Sequence, residues 1–167
     1  MASLFERQLG TYASYHRDHR NRLTHFVGIP AIVFSLILAL ALWRFRVAGL
    51  QLSGAWLVGV LALAGWITLD RTVGLAMAVM VVPMILLAEW IVGHAGVSTV
   101  WWLFALLFVG GWAFQLVGHA FEGRRPALAD NLFQAFIGPM FIMAEVLTML
   151  GLRRDLAGVI EGDGTAG

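Results

Sequence analysis

The chain has 167 residues, of which 60% are hydrophobic and 13% charged, against about 45–50% and about 25% in an ordinary soluble domain. So few charges cannot cover a water-soluble surface, and so much hydrophobicity excludes disorder; a polytopic membrane protein is the class that remains. The 11 basic and 10 acidic residues leave a net charge of +1, which offers nothing to nucleic acid or any other polyanion.

In chain order, residues 1–26 come first. Leu4, Phe5, Gln8, Leu9, Tyr12 and Tyr15–His16 recur at helical spacing among Glu6, Arg7, Arg17, Asp18, Arg20 and Arg22. That pattern predicts an interfacial amphipathic helix, followed by a His/Arg-rich segment. It contains no apolar core of the kind a cleavable signal needs, so none is expected. Val27–Trp43 is then a charge-free run of 17 residues, and Val47–Leu69 a second of 23 that stops at Asp70–Arg71. Between Arg71 and Glu122 lie 50 residues with one formal charge, Glu89. Fifty residues make about 75 Å of helix, enough for two crossings of a ~30 Å hydrocarbon core and a turn. The turn is expected at Gly93-His94-Ala95-Gly96, with Ser98–Thr99 capping the next helix.

A polar stretch from Glu122 to Asp130 follows. Asn131–Leu152 is the last and weakest apolar segment, interrupted by Gln134, Pro139 and Glu145. The expected fold is therefore all-α: a polytopic membrane bundle of four to five transmembrane helices over 27–152, with a flexible tail over 153–167. Placing the N-terminus in the cytoplasm puts Arg7, Arg17, Arg20, Arg22, Arg71, Arg124 and Arg125 inside and Arg44, Arg46, Arg153 and Arg154 outside. Seven against four favours that orientation by the positive-inside rule, in a bacterial inner membrane or, for a eukaryotic source, the endoplasmic reticulum.

With Cys absent, disulfides, thiol nucleophiles and thiolate metal sites are excluded. His16, His19 and His25 precede the first span, whereas His119 and Glu122 follow the fourth. An even number of crossings returns the chain to its starting side, so these five residues share one membrane face and His94 lies on the other. Several imidazoles and a carboxylate at one face suit non-haem iron or a similar divalent metal, commonly held by two His and one carboxylate. On a helix, His119 and Glu122 are i,i+3 neighbours, and Gln115, one turn earlier, could hold a ligand or substrate oxygen. His16 and His25 are nine residues apart, 180° round one continuous helix. Both reach one site only if the chain bends near Arg17–Asn21. Spacing alone leaves a second reading open: a non-enzymatic membrane protein that binds lipid or a protein partner, its histidines serving as interface residues. Glu89 requires a polar partner inside a span, with Gln115, Arg71 and Asn131 as candidates.

Two stretches carry a resemblance. One runs from Tyr15–His16 through Asn21, His25, Gly28 and Pro30. The other is Gln115-Leu-Val-Gly118-His119-Ala-Phe-Glu122-Gly-Arg-Arg125-Pro126-Ala-Leu128-Ala-Asp130-Asn131-Leu. Together they resemble the small integral-membrane family of Fe(II)-dependent 2-hydroxy fatty acid dioxygenases of fungal α-oxidation, over most of the chain. The resemblance implies that a long-chain 2-hydroxy fatty acid and O2 give the fatty acid one carbon shorter, using Fe(II) held by histidines. It implies His16, His25 and His119 as metal ligands, with Asn21 and Glu122 inside the matching pattern. His19, outside that pattern, is a further ligand candidate by its spacing from His16. Asn21 and Glu122 are read as catalytic residues, Glu122 as a ligand or as a base behind the ligands. Arg22, Arg124 and Arg125 are then the cations available to pair with the substrate carboxylate, beside Gln115.

Overall fold

Polar and glycine-containing breaks divide this hydrophobic chain into helices. The structure is a computed structural model and describes residues 2–162. Ser3 opens α1 (Leu4–Ser14): its Oγ accepts from the Glu6 amide at 3.1 Å, and Glu6 Oε2 accepts from the Ser3 amide at 2.6 Å, a reciprocal cap. Asp18 opens α2 (His19–Leu42) by accepting from the Arg20 amide. An antiparallel hairpin follows, β1 (Arg44–Val47) and β2 (Leu50–Ser53), turning through Ala48 and Gly49 at φ of 50° and 83°. Ser53 caps α3 (Gly54–Leu69), and Asp70 alone separates it from α4 (Arg71–His94). α5 (Val97–Glu122), α6 (Phe133–Met149) and α7 (Ala157–Glu161) complete the described chain.

This is the expected all-α membrane bundle, with three corrections. First, α2, α4 and α5 are the helices long and apolar enough to cross a membrane. The apolar run from Val47 begins as hairpin instead, so α3 keeps 16 residues, about 24 Å against the ~30 Å of a hydrocarbon core. Secondly, α6 and the segment after it bend by 117°, and both ends of α6 are tied to the same end of the bundle. Trp66 Nε1 donates to the Phe136 carbonyl at 3.0 Å, Arg22 pairs with Glu145 at 3.3 Å, and Arg153 donates to both Asp70 oxygens at 2.8 and 2.9 Å. The expected fifth segment is therefore a sharply bent helix pair and not one straight span. Thirdly, the apolar stripe of α1 (Phe5, Leu9, Tyr12) is buried against α6 and α7, so protein rather than lipid covers it. The segment expected to be a loose tail is docked as far as α7, where Leu156 and Ile160 are buried; residues 163–167 of that tail lie outside the described residues.

The helix pairing that matters for function is α2 against α5, antiparallel and close because glycines line the seam. A Cβ on Gly118 would collide with Thr24 Oγ1 and meet Asn21 Oδ1 at 2.5 Å; one on Gly111 would meet the Gly28 carbonyl at 2.9 Å. Small residues let backbones approach in this way. The start of α2 is thereby pressed against the end of α5. At the other end the chain turns at Ala95–Gly96 as expected, but Gly96 is the N-cap and makes no side-chain cap bond, so Ser98–Thr99 is not the cap. Glu89 is held by Arg44 Nη1 at 2.6 Å and by Ser53 Oγ. Those partners come from the hairpin, not from Gln115, Arg71 or Asn131.

Candidate metal centre

The site begins with a break in the helical backbone. After Ser14, the amides of Tyr15 and His16 turn back to the Tyr12 and Ala13 carbonyls, each at 3.0 Å, and Asp18 restarts the helix. The bend spans Tyr15–Asp18, so it starts before the Arg17–Asn21 stretch where one was expected and overlaps it only at Arg17–Asp18. It brings the two rings face to edge, with centroids 4.4 Å apart and their Nε2 atoms at 3.0 Å. α5 adds His119, whose ring lies 4.9 Å from His16 and 5.0 Å from His25. One nitrogen from each of the three lies within 4.8 Å of the others. All three rings are buried.

Hydrogen bonding decides which nitrogens face inward. Nδ1 of His16 lies 2.7 Å from the Tyr12 carbonyl, and Nδ1 of His25 lies 2.8 Å from the Asn21 carbonyl. A carbonyl only accepts, so each Nδ1 carries the proton and each Nε2 presents a lone pair. Two lone pairs aimed at each other across 3.0 Å repel unless a cation joins them. Nitrogens at about 2.1 Å from one ion and about 90° apart are separated by about 3.0 Å. His119 supplies the other sign of an intended ligand: its Nδ1 is buried without a hydrogen-bond partner. Burial, reinforced by the neighbouring His25 ring, pushes the His16 imidazole down to about 2, so it stays neutral as metal binding requires. The three residues fit a divalent metal.

Glu122 stands outside this group. Its oxygens accept from the backbone amides of Arg17 at 2.9 Å and Asp18 at 2.8 Å, and from Asn21 Nδ2 at 3.0 Å. Asn21 Nδ2 also reaches the Tyr15 carbonyl at 3.1 Å. The carboxylate expected as ligand or base is thus a clamp that locks the α1–α2 bend onto the end of α5. Asn21 shares that task and holds His25 in its tautomer through its own carbonyl. Among the described residues, the group that could hold a metal is three imidazoles without a carboxylate.

The imidazoles form one end of a cavity of about 240 Å³. Its walls follow α2 through Ile29, Val33 and Leu36 and α5 through Gln115, Trp112 and Phe108. From His25 to Leu36, and from His119 to Phe108, each wall spans 11 residues, about 16 Å of helix rise. Gln115 lines this cavity. The other candidates do not. His19 is exposed on the first residue of α2, because the helix break removes the i,i+3 relation to His16. Arg124 donates to the Ser14 carbonyl and covers the Tyr15 ring, and Arg125 pairs with Asp130. Arg22 holds the carbonyls of His16 at 2.8 Å and Ile160 at 3.0 Å as well as Glu145. Two residues were not anticipated. Tyr12 stacks on His16 with centroids 4.1 Å apart; its position four residues earlier on the apolar stripe was the available signal. Gln134 lines the cavity; as a polar residue in an apolar segment, it too was marked.

Over residues 2–150 the chain matches the family model described as 2-hydroxy-palmitic acid dioxygenase Mpo1-like. It is 36% identical over 158 residues to the 2-hydroxy-palmitic acid dioxygenase MPO1 of Saccharomyces cerevisiae, covering 93% of this chain and 87% of that protein. No solved structure matches it.

Proposed function

The chain belongs to the Mpo1-like family, and from that premise we propose that it is a membrane dioxygenase of long-chain 2-hydroxy fatty acids, dependent on Fe(II). The balanced reaction takes R–CH(OH)–COOH and O2 to R–COOH, CO2 and H2O, breaking the bond between the carboxyl carbon and its neighbour. The observation that carries this reading is the pairing of three buried imidazoles with an apolar cavity in the same structure. His16, His25 and His119 hold the metal, and Fe(II) when bound supplies the redox chemistry that activates O2. Three protein ligands leave positions for substrate and O2.

The rest of the work falls to the chain. The Tyr12 and Asn21 carbonyls keep the Nδ1 protons of His16 and His25, so their Nε2 lone pairs remain directed at one point. Glu122 and Asn21 hold the bend that carries His16, and Arg22 holds its carbonyl from the other side. Ile29, Val33, Phe108 and Trp112 take the acyl chain and exclude water. At about 2.5 Å per two carbon–carbon bonds, a wall of about 16 Å accommodates about 13 bonds of an extended acyl chain, a long-chain substrate. We place the N-terminus and the imidazoles on the cytoplasmic face, following the Arg distribution.

Oxygen uptake by detergent-purified protein supplied with 2-hydroxypalmitate, with Fe(II) or with chelator, tests the reading. Uptake that requires both, with pentadecanoate as product, supports it. No uptake with Fe(II) present, or an unshortened product, overturns it.

A further inference from the structure

The cavity has a second polar feature besides the imidazoles. Gln115 and Gln134 both line it, and both are nearly inaccessible, at 6% and 1% exposure. Gln115 Nε2 and Gln134 Oε1 are buried without a hydrogen-bond partner. Buried amide groups left unpaired are destabilising and rare, and here one donor and one acceptor belong to two side chains that line the same chamber. Gln134 Nε2 donates to Gln8 Oε1 at 2.7 Å, which turns the opposite face of that amide, the oxygen, away from α1. Gln115 Nε2 occupies the space left by the missing side chain of Gly28, 2.6 Å from where a Cβ would stand.

No arginine lines the cavity, so a bound carboxylate finds no side-chain cation there. The head of a 2-hydroxy acid offers carboxylate oxygens that only accept, and one hydroxyl that donates. These requirements match the orphan atoms in kind.

We propose that Gln115 and Gln134 form the head-group clamp of the cavity, with Gln115 Nε2 donating to the substrate carboxylate and Gln134 Oε1 accepting from the 2-hydroxyl. Gln134 is then the residue that distinguishes a 2-hydroxy acid from an unsubstituted one. A site built to bond a hydroxyl rejects the analogue that lacks it, because its own polar group is left unpaired. The inference rests on the proposed reading of the cavity as the site of a 2-hydroxy acid.

The test is calorimetric titration of the purified full chain with 2-hydroxypalmitate, 2-fluoropalmitate and palmitate, both iron-loaded and after chelation. Chelation separates the amide contribution from any preference the metal itself confers. Wild type without metal is expected to bind 2-hydroxypalmitate about 10-fold more tightly than either analogue, the fluorine being similar in size but no donor. Gln134→Met should bring the three affinities within about 2-fold while leaving iron content unchanged. Gln115→Met should weaken all three acids together by about 10-fold. If metal-free wild type already binds 2-fluoropalmitate as tightly as 2-hydroxypalmitate, or if Gln134→Met keeps the full preference, the clamp is wrong while the dioxygenase reading stands. If wild type binds none of the three acids and takes up no oxygen with any, both fail together.

Discussion

Each end of the bundle carries a helix with a histidine and a carboxylate close in sequence, yet only one end assembles a site. On α4, His94 follows Glu89 by five residues; on α5, Glu122 follows His119 by three. His94 is exposed, stacks on Trp90 at 5.0 Å and bonds the Trp90 carbonyl of its own helix at 2.8 Å. Glu89 ties the hairpin down through Arg44 and Ser53. At the opposite end, the rings of His16, His25 and His119 come from the helix break, from α2 and from α5. What separates the two ends is convergence of segments, enforced by a bend and a glycine seam. A His–carboxylate pair on one helix is not enough.

The contrast breaks most sharply at the ligands. His25→Ala or His119→Ala should abolish iron binding and reduce oxygen uptake about 100-fold or more, exceeding the loss seen when a group supporting a ligand is removed. His94→Ala should leave both unchanged. Iron per chain and uptake rates check the set, and loss of iron in His94→Ala would erase the distinction.

The carboxylates give the next largest effect. Glu122→Gln replaces one of two acceptor oxygens with an NH2, which then faces at least one of the three donors. Loosening of the bend should lower metal affinity about 10- to 100-fold. The matching change Glu89→Gln, at the far end, should leave metal affinity as it is. Competition with a chelator of known strength measures both.

Glycines sharpen the comparison further. Gly118→Ala forces a methyl against Thr24 and Asn21, an overpacking that typically costs ~1–3 kcal/mol. It should lower the melting temperature and the iron content together. Gly93 has nothing within 4 Å of its added Cβ, so Gly93→Ala should melt no lower than wild type.

The smallest effect is a pH slope. His16 is held neutral down to about 2 by burial, whereas the unfolded ring takes a proton below its ordinary value of about 6.5. Below that value the unfolded chain binds more protons than the folded one, so stability falls as pH falls. It should be level above about pH 6.5 and lower by about 1.4 kcal/mol from this ring at pH 5.5. Thermal melts of the metal-free protein across that window measure it. Burial holds the Glu145 carboxyl up at about 7, which acts with the opposite sign over the same window. The ring's share is therefore the difference between wild type and His16→Ala, and the same slope in both proteins would contradict a buried neutral imidazole.

Much of this was legible in the sequence because membrane segments announce themselves by composition, and because four successive helical passes, the short α3 among them, return the chain to the end where it started. The nine-residue interval between His16 and His25 required a bend between them, although the break starts two residues earlier than the polar run Arg17–Asn21 suggested. The roles of Glu122 and the arginines were not legible. A charged residue near a metal site reads alike whether it binds the ion, binds the substrate or clamps a turn, and only the positions of the Arg17 and Asp18 amides decide. The hairpin was hidden by its apolar residues Val47, Leu50 and Leu52, which extend the hydrophobic run into α3. Gln134 was visible as an anomaly, but its orientation depends on Gln8, 126 residues away.

The central claim is that His16, His25 and His119 together hold one Fe(II). Iron-edge X-ray absorption, with metal analysis on the same detergent-purified sample, tests it most directly. One iron per chain with imidazole scattering is expected, and no bound iron in the His25→Ala, His119→Ala double variant. A wild-type protein that takes up no iron, or a double variant that retains it fully, would contradict the claim.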